Sequence, residues 1–188
     1  MKYGLPVFLK WGLNAETPEL MIEKIHGLLK DVLIYTICPV FTSSEGRIYN
    51  SAVVFNRNGK KKVGQYNKIH ETVEWVRDGI SCGNLFQPAI QTECGPIGIQ
   101  ICYDINWEDS WKMLRDQGVK IIFWCSAFDG GKQLNMKAIL NKCIVVSSTN
   151  KNVLKVCDMN GETIAQTGIW QPNIYCCPVN LEKVFLPA

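Results

Sequence analysis

The chain has 188 residues, of which 47% are hydrophobic and 20% are charged, and its net charge is +3. These values are ordinary for a globular protein with a substantial core, and they argue against extended disorder. The basic residues are scattered apart from the run at residues 60–62, which argues against nucleic-acid binding, and the longest apolar stretches are too short to span a bilayer.

The first half of the chain predicts one helix followed by strands and tight turns. Residues 17–30 have helical spacing, with Thr17 as a cap and Pro18 in the first turn. Strands are predicted at residues 32–41, 48–56, 62–66 and 88–92. Asn58 and Gly59 form a hairpin turn, and residues 70–84 are expected to form a loop.

The second half alternates strands with helices. The predicted strands are residues 97–102, 119–124, 143–148 and 174–180, and the predicted helices are residues 107–117 and 134–142. Gly118 suits a helix end, and Asn160-Gly161 suits a hairpin. The mixture predicts one α/β (α+β) domain over residues 1–188, in which helices cover sheets.

The nine cysteines show no C-x-x-C spacing, so a zinc module is not expected. An odd number of cysteines without a secretory signal indicates free thiols in a reducing compartment, which predicts a cytoplasmic location. Nothing in the sequence calls for a metal or another cofactor.

Cys102 closes an apolar strand and precedes a predicted helix. A thiol at such a strand exit is activated where cations and helix N–H groups lower its pKa. The alternative for any single cysteine is a buried structural thiol.

Two charged residues follow a strand further upstream. Lys68 at a strand end offers a fixed cation for a developing oxyanion, and Glu74 beside Trp75 is placed for proton transfer if the indole raises its pKa. His70 is a weaker candidate base. Each of these, taken alone, also fits a surface charge or a structural side chain.

Taken together, residues 66–70 (YNKIH) and 98–104 (GIQICYD) resemble the lysine and cysteine motifs of the nitrilase/amidase (carbon–nitrogen hydrolase) superfamily, in the family's order. Residues 124–127 (WCSA) resemble the strand end that lines the family's substrate pocket. The resemblance covers residues 15–186, nearly the whole chain.

The resemblance implies a four-layer αββα sandwich and a Glu–Lys–Cys mechanism without cofactor or metal. Cys102 would attack a carbonyl carbon, while Lys68 and the backbone N–H of Tyr103 hold the oxyanion. Glu74 matches a second family glutamate, with Glu71 as a weaker competitor. Trp124, Ser126 and Ala127, together with Tyr103, would bind substrate.

The same resemblance implies a small-molecule amide or carbamoyl substrate, because the Tyr103-Asp104 pair looks more like the amidase and carbamoylase branches than the nitrilases. Family members commonly pair across a helical face, so a homo-oligomer, a dimer or larger, is expected. Neither nucleic acid nor membrane is expected as a partner.

One family element has no match. The general-base glutamate falls before Met1 when counted back from Lys68, so the first strands and first helix of the domain are expected to be missing and activity of this chain is in doubt. The alternative is a catalytically inactive domain that acts by protein interaction. A glutaminase-type Cys–His–Glu enzyme is disfavoured because His26 and His70 both precede Cys102.

Overall fold

The computed structural model describes residues 18–29, 33–59, 62–150, 153–168 and 176–184. By its contacts the chain divides into two compact units, Met1–Glu93 and Cys94–Ala188. The prediction of one domain over residues 1–188 stays a prediction.

The first unit contains an antiparallel sheet built from hairpins. The unit has the helices α1 (Pro18–Leu29) and α2 (Val73–Arg77), and its sheet has the strands β1 (Thr36–Ser44), β2 (Arg47–Phe55), β3 (Lys62–Asn67) and β4 (Ile80–Ser81). A further short strand of this unit, β5 (Ile90–Thr92), is not part of that sheet. The sheet has the order β1-β2-β3, and β4 adds to β2 in parallel. Thr36 lies opposite Phe55, and this register continues without a break to the hairpin turn.

Helix α1 covers one face of this sheet. Alternate residues of a strand share a face, so Cys38 and Val40 of β1 lie on the same side as Val53 and Phe55 of β2. Ile25 of α1 joins these four buried side chains in one hydrophobic cluster. The apolar face of α1 therefore covers the apolar face of the sheet.

The second unit has a mainly parallel sheet with two helices. Its strands are β6 (Gly95–Ile101), β7 (Ile121–Ser126), β8 (Ile144–Thr149), β9 (Lys155–Cys157) and β10 (Thr163–Gln166), and its helices are α3 (Asp109–Asp116) and α4 (Gln133–Asn141). The strands follow the order β10-β9-β8-β7-β6. β6, β7 and β8 are parallel, whereas β9 and β10 are antiparallel additions.

Parallel strands are covered on both faces and therefore read as apolar runs. In β7 the first five side chains are all buried. Gly98 of β6 makes room for α3, since a Cβ there would lie 2.8 Å from the side chain of Leu114.

Most predicted elements are confirmed within a few residues. Three differ: β1 begins only at Thr36, the expected loop at residues 70–84 contains α2 and β4, and the described part of the strand predicted at 174–180 has no strand. Pro178 has no backbone N–H to donate to a neighbouring strand, which fits the last result. The predicted Thr17 cap lies outside the described residues. Among the described helices, none is long and apolar enough to cross a membrane.

Candidate active site

Cys102 lies at a sharp turn from a strand into a helix. The buried strand β6 ends at Ile101, and residues Cys102–Asn106 form a 3₁₀ helix. The φ angle of Cys102 is +49°, in the left-handed region that residues with a side chain seldom occupy. The turn leaves Cys102 partly exposed at the end of a buried strand.

This left-handed backbone is unusual for its place in the fold. The other described residues with a side chain and positive φ are Glu45, in a hairpin turn, and Lys142, at the C-cap of α4. Turns and helix ends commonly use that conformation, whereas a strand exit does not require it. Strained backbone that the surroundings hold in place is often found at functional sites.

Hydrogen bonds from three sides hold the turn. The Asp104 carboxylate, fully buried, accepts the backbone N–H of Ile101 at 3.1 Å. The carbonyl of Asp104 accepts the indole N–H of Trp111 at 3.1 Å, and the carbonyl of Cys102 accepts the indole N–H of Trp124 at 3.0 Å. The carbonyl of Cys102 itself is therefore held by an indole on β7, whereas Trp111 on α3 holds the turn two residues further on.

The predicted substrate-binding residues of this unit differ in how exposed they are. Tyr103 is 42% exposed and packs edge-on against Trp107, with ring centroids 5.1 Å apart. Ala127 is also exposed, and Ser126 accepts the backbone N–H of Phe128 at 3.1 Å. Trp124, by contrast, is fully buried.

Lys68 lies in the first unit, directly after β3. It is 3% exposed, and its Nζ donates to Oε2 of Glu71 at 2.8 Å. The ring centroid of Trp75 lies 5.8 Å from the same Nζ. Backbone bonds to Asn50 and Gly83 hold the lysine main chain on both sides. The cation is thus fixed by a buried carboxylate and an aromatic face.

Glu74 does not have the environment that the sequence suggested. Its side chain is exposed, and its pKa is lowered, first by a hydrogen bond to its own backbone N–H and then by the Thr72 side chain. The expected rise from the neighbouring indole is absent because Trp75 packs against Phe41, at 5.3 Å between centroids, and Lys68. The assignment of Glu74 as a catalytic residue stays a prediction.

Three buried cysteines are poor candidates for the nucleophile. Burial raises the pKa of Cys38 and Cys143 to about 12 and that of Cys157 to about 11. Such thiols stay protonated at neutral pH, and only a thiolate is a good nucleophile. They are structural cysteines.

Comparison with known proteins decides the family. The model of the carbon–nitrogen hydrolase family matches residues 3–184. The chain belongs to this family. The site candidates of both units lie within the matched region.

Relatives from bacteria and yeast show the same relationship. The chain is 30% identical over 86% of its length to the probable hydrolase YhcX of Bacillus subtilis and 29% identical over 54% to a deaminated glutathione amidase of Synechocystis. It spans only 35% of the first relative and 43% of the second. Nit3 of Saccharomyces cerevisiae, a member of the nitrilase superfamily, matches with a TM-score of 0.70 and 20% identity over 85% of this chain and 65% of its own. The predicted nitrilase-type α/β fold is confirmed.

Sequence reasoning underrated Glu71 in the first unit, and in the second unit it missed the bonds that Asp104 and Trp124 make. Glu71 was ranked below Glu74, although its position three residues after Lys68 is a signal for an ion pair. Asp104 and the indole N–H of Trp124 bind backbone groups around Cys102. Sequence carries no direct sign of such side-chain-to-backbone bonds.

Proposed function

We propose that the chain hydrolyses a non-peptide carbon–nitrogen bond, of the amide or carbamoyl type, through a thioester on Cys102. The thiolate attacks the carbonyl carbon and a C–S bond forms. The C–N bond then breaks, and ammonia or an amine leaves with a proton. Water hydrolyses the thioester, which releases the acid and restores the thiol.

The observation that carries the proposal is the conformation of Cys102. A partly exposed cysteine in left-handed backbone at a strand-to-helix turn is the arrangement that nucleophile turns in hydrolases use. The amide of Tyr103 lies in the first turn of the 3₁₀ helix, where N–H groups have no partner within the helix. That N–H is the proposed oxyanion donor.

The resemblance assigns the second oxyanion donor to Lys68. Its burial and its bond to Glu71 support this role, because a fixed charge in a water-poor site stabilises an oxyanion better than a mobile surface lysine. Glu71 is the better supported acid or base of the two nearby glutamates, since it contacts the lysine ammonium.

The proposed substrate is a small amide, with Tyr103, Ser126 and Ala127 among the residues that bind it. A relative named as a deaminated glutathione amidase supports amides over nitriles. We further propose that the enzyme acts in the cytoplasm as a homo-oligomer.

The test is ammonia release from a panel of short amides, ω-amides of dicarboxylic acids and N-carbamoyl compounds. Cys102→Ala is expected to reduce turnover to the uncatalysed background. Cys94→Ala, which removes another partly exposed thiol, is expected to keep it. The panel is run on this chain and on any longer protein that the same gene encodes.

Iodoacetamide mapping shows whether the thiol is activated without needing the substrate. Cys102 is expected to label before the other cysteines near neutral pH, and more slowly in Lys68→Ala. A folded chain with no turnover and no preference for Cys102 would contradict the proposal and favour an inactive, protein-binding domain.

A further inference from the structure

Two buried indoles donate to carbonyls of the Cys102 turn, and they differ in which peptide they hold. Trp111 binds the carbonyl of Asp104 at 3.1 Å, beyond the reacting part of the turn. Trp124 binds the carbonyl of Cys102 itself at 3.0 Å. Both side chains are fully buried. A comparison of the two tryptophans can therefore distinguish the general effect of a buried indole from the specific effect of a bond to the Cys102 carbonyl.

The carbonyl of Cys102 and the N–H of Tyr103 belong to the same peptide group. A trans peptide is planar, and its C=O and N–H point in opposite directions. The bond from Trp124 to the carbonyl oxygen therefore also fixes the direction of the Tyr103 N–H. Rotation of this peptide would turn that N–H away from the place where an oxyanion forms.

The indole of Trp124 is itself held in place. Phe128 packs edge-on against it, with ring centroids 5.1 Å apart. A Cβ added at Gly130 would lie 2.8 Å from the six-membered ring, so the glycine backbone lies directly against the indole. Gly130 has φ of +68°, which suits glycine. The loop after β7 thus holds the indole of Trp124 in place.

Resting on the proposed function, we propose that Trp124 is a positioning residue that orients the oxyanion-binding peptide between Cys102 and Tyr103. It acts through the Tyr103 N–H rather than by touching substrate. This role differs from the substrate-binding role that the strand end suggested from sequence. It deepens the proposed mechanism by naming the group that preorganises one oxyanion donor.

The test compares two reactions of the same thiol. Acylation of Cys102 by p-nitrophenyl acetate passes through a tetrahedral oxyanion, whereas alkylation by iodoacetamide is a direct displacement without one. Both rates are measured in the wild-type chain, in Trp124→Phe and in the matched control Trp111→Phe, with Cys102→Ala as the blank. Circular dichroism checks that each variant is folded.

We expect Trp124→Phe to slow acylation by about 10- to 100-fold and to leave alkylation within about threefold. The expected loss is smaller than the roughly 100- to 1,000-fold cost of deleting an oxyanion donor, because the Tyr103 N–H is misoriented and not removed. Trp111→Phe is expected to leave both rates within about threefold. If Trp124→Phe does not fold, Trp124→3-benzothienylalanine keeps the ring shape and removes only the N–H donor.

Three results would overturn the inference. These are acylation by Trp124→Phe within twofold of wild type, an equal loss of acylation and alkylation, or an equal effect of Trp111→Phe. Wild-type Cys102 that alkylates but does not acylate would also overturn it, because the peptide would then hold no working donor. Because the ester probe is independent of the natural amide, an absence of amide turnover with intact acylation would count against the proposed function and leave the inference standing.

Discussion

At the scale of single residues, the ion pair between Lys68 and Glu71 is the strongest local constraint in the first unit. The two side chains are 4% and 0% exposed, and Nζ and Oε2 are 2.8 Å apart. Breaking a buried pair by removing one partner leaves an uncompensated charge, which costs about 3–5 kcal/mol. The pair therefore links the stability of the unit to the position of the proposed catalytic cation.

Glu71→Gln is expected to lower the free energy of unfolding by about 3 kcal/mol, since the Lys68 ammonium stays buried without its counter-charge. The measurement is urea unfolding at neutral pH. Glu74→Gln is the control, and it is expected to leave the unfolding midpoint unchanged because its side chain is exposed. A larger effect of Glu74→Gln on unfolding or on turnover would restore Glu74 as the important glutamate.

The buried thiols should make the protein less stable at alkaline pH. Burial raises the pKa of Cys38 and Cys143 from 9.0 to about 12 and that of Cys157 to about 11. When the folded pKa is raised, the unfolded state releases the proton first, so the stabilisation present below pH 9 is lost as pH rises toward 11–12.

Each such thiol should lower the free energy of unfolding by about 1.4 kcal/mol per pH unit in that window. The measurement is urea unfolding between pH 8 and pH 10.5. Cys143→Ala removes one of the thiols, so its stability should fall less steeply with pH than that of wild type. Parallel curves for the two proteins would show that other groups cause the alkaline loss.

At the scale of elements, the loop before β5 packs directly onto the end of β3. Gly83 donates its N–H to the carbonyl of Lys68 at 2.8 Å. A Cβ at Gly83 would lie 2.3 Å from the backbone oxygen of Asn67, an atom that cannot move without moving the strand. Only glycine fits this contact.

Gly83→Ala is therefore expected to destabilise the chain by about 2 kcal/mol or more and to displace the Lys68 main chain. Gly27→Ala in α1 is the opposite case, because nothing lies within 4 Å of its added Cβ. Alanine loses less conformational entropy than glycine when the helix forms, so that variant should be more stable than wild type by about 0.5–1 kcal/mol. Thermal unfolding of both variants gives the comparison, and a neutral Gly83→Ala would mean that the loop can shift away from β3.

The elements also show what the sequence can predict. The strands β6, β7 and β8 were found from continuous apolar runs, because full burial imposes that composition. Helix α2 has five residues and no buried side chain, so it leaves no apolar period to detect. The loop prediction for residues 70–84 failed for that reason.

The placement of the candidate residues was predictable where it follows position along the chain. A cysteine after a buried strand and a lysine after another strand are visible in sequence, and the structure places Cys102 and Lys68 directly after β6 and β3. Their catalytic roles stay predictions. The choice between Glu71 and Glu74 depends on which side chain the fold buries, which two residues so close in sequence do not reveal. The φ of Cys102 and the bond from Trp124 depend on tertiary packing.

At the scale of the whole molecule, the expected homo-oligomer needs an apolar surface, and α4 offers one. Met136 is 58% exposed and Leu140 is 54% exposed, and residues four apart lie on the same helix face. Together with Gln133 and Lys137, these residues border a groove that Ile105, Asn106 and Glu108 also line, and Lys137 is already paired with Glu108. Family members pair across a helical face, so a second copy of this chain is the expected occupant.

We expect light scattering after size exclusion to give a dimer mass for the wild-type chain and a monomer mass for Leu140→Glu, because a charge on an apolar interface must be buried without a partner. Val76→Glu is the control: Val76 is 49% exposed, lies on α2 of the first unit and does not line the groove. This control should remain dimeric. A monomeric wild type at tens of micromolar, or dissociation by Val76→Glu as well, would remove α4 as the dimer surface and leave its exposed apolar residues without an assigned role.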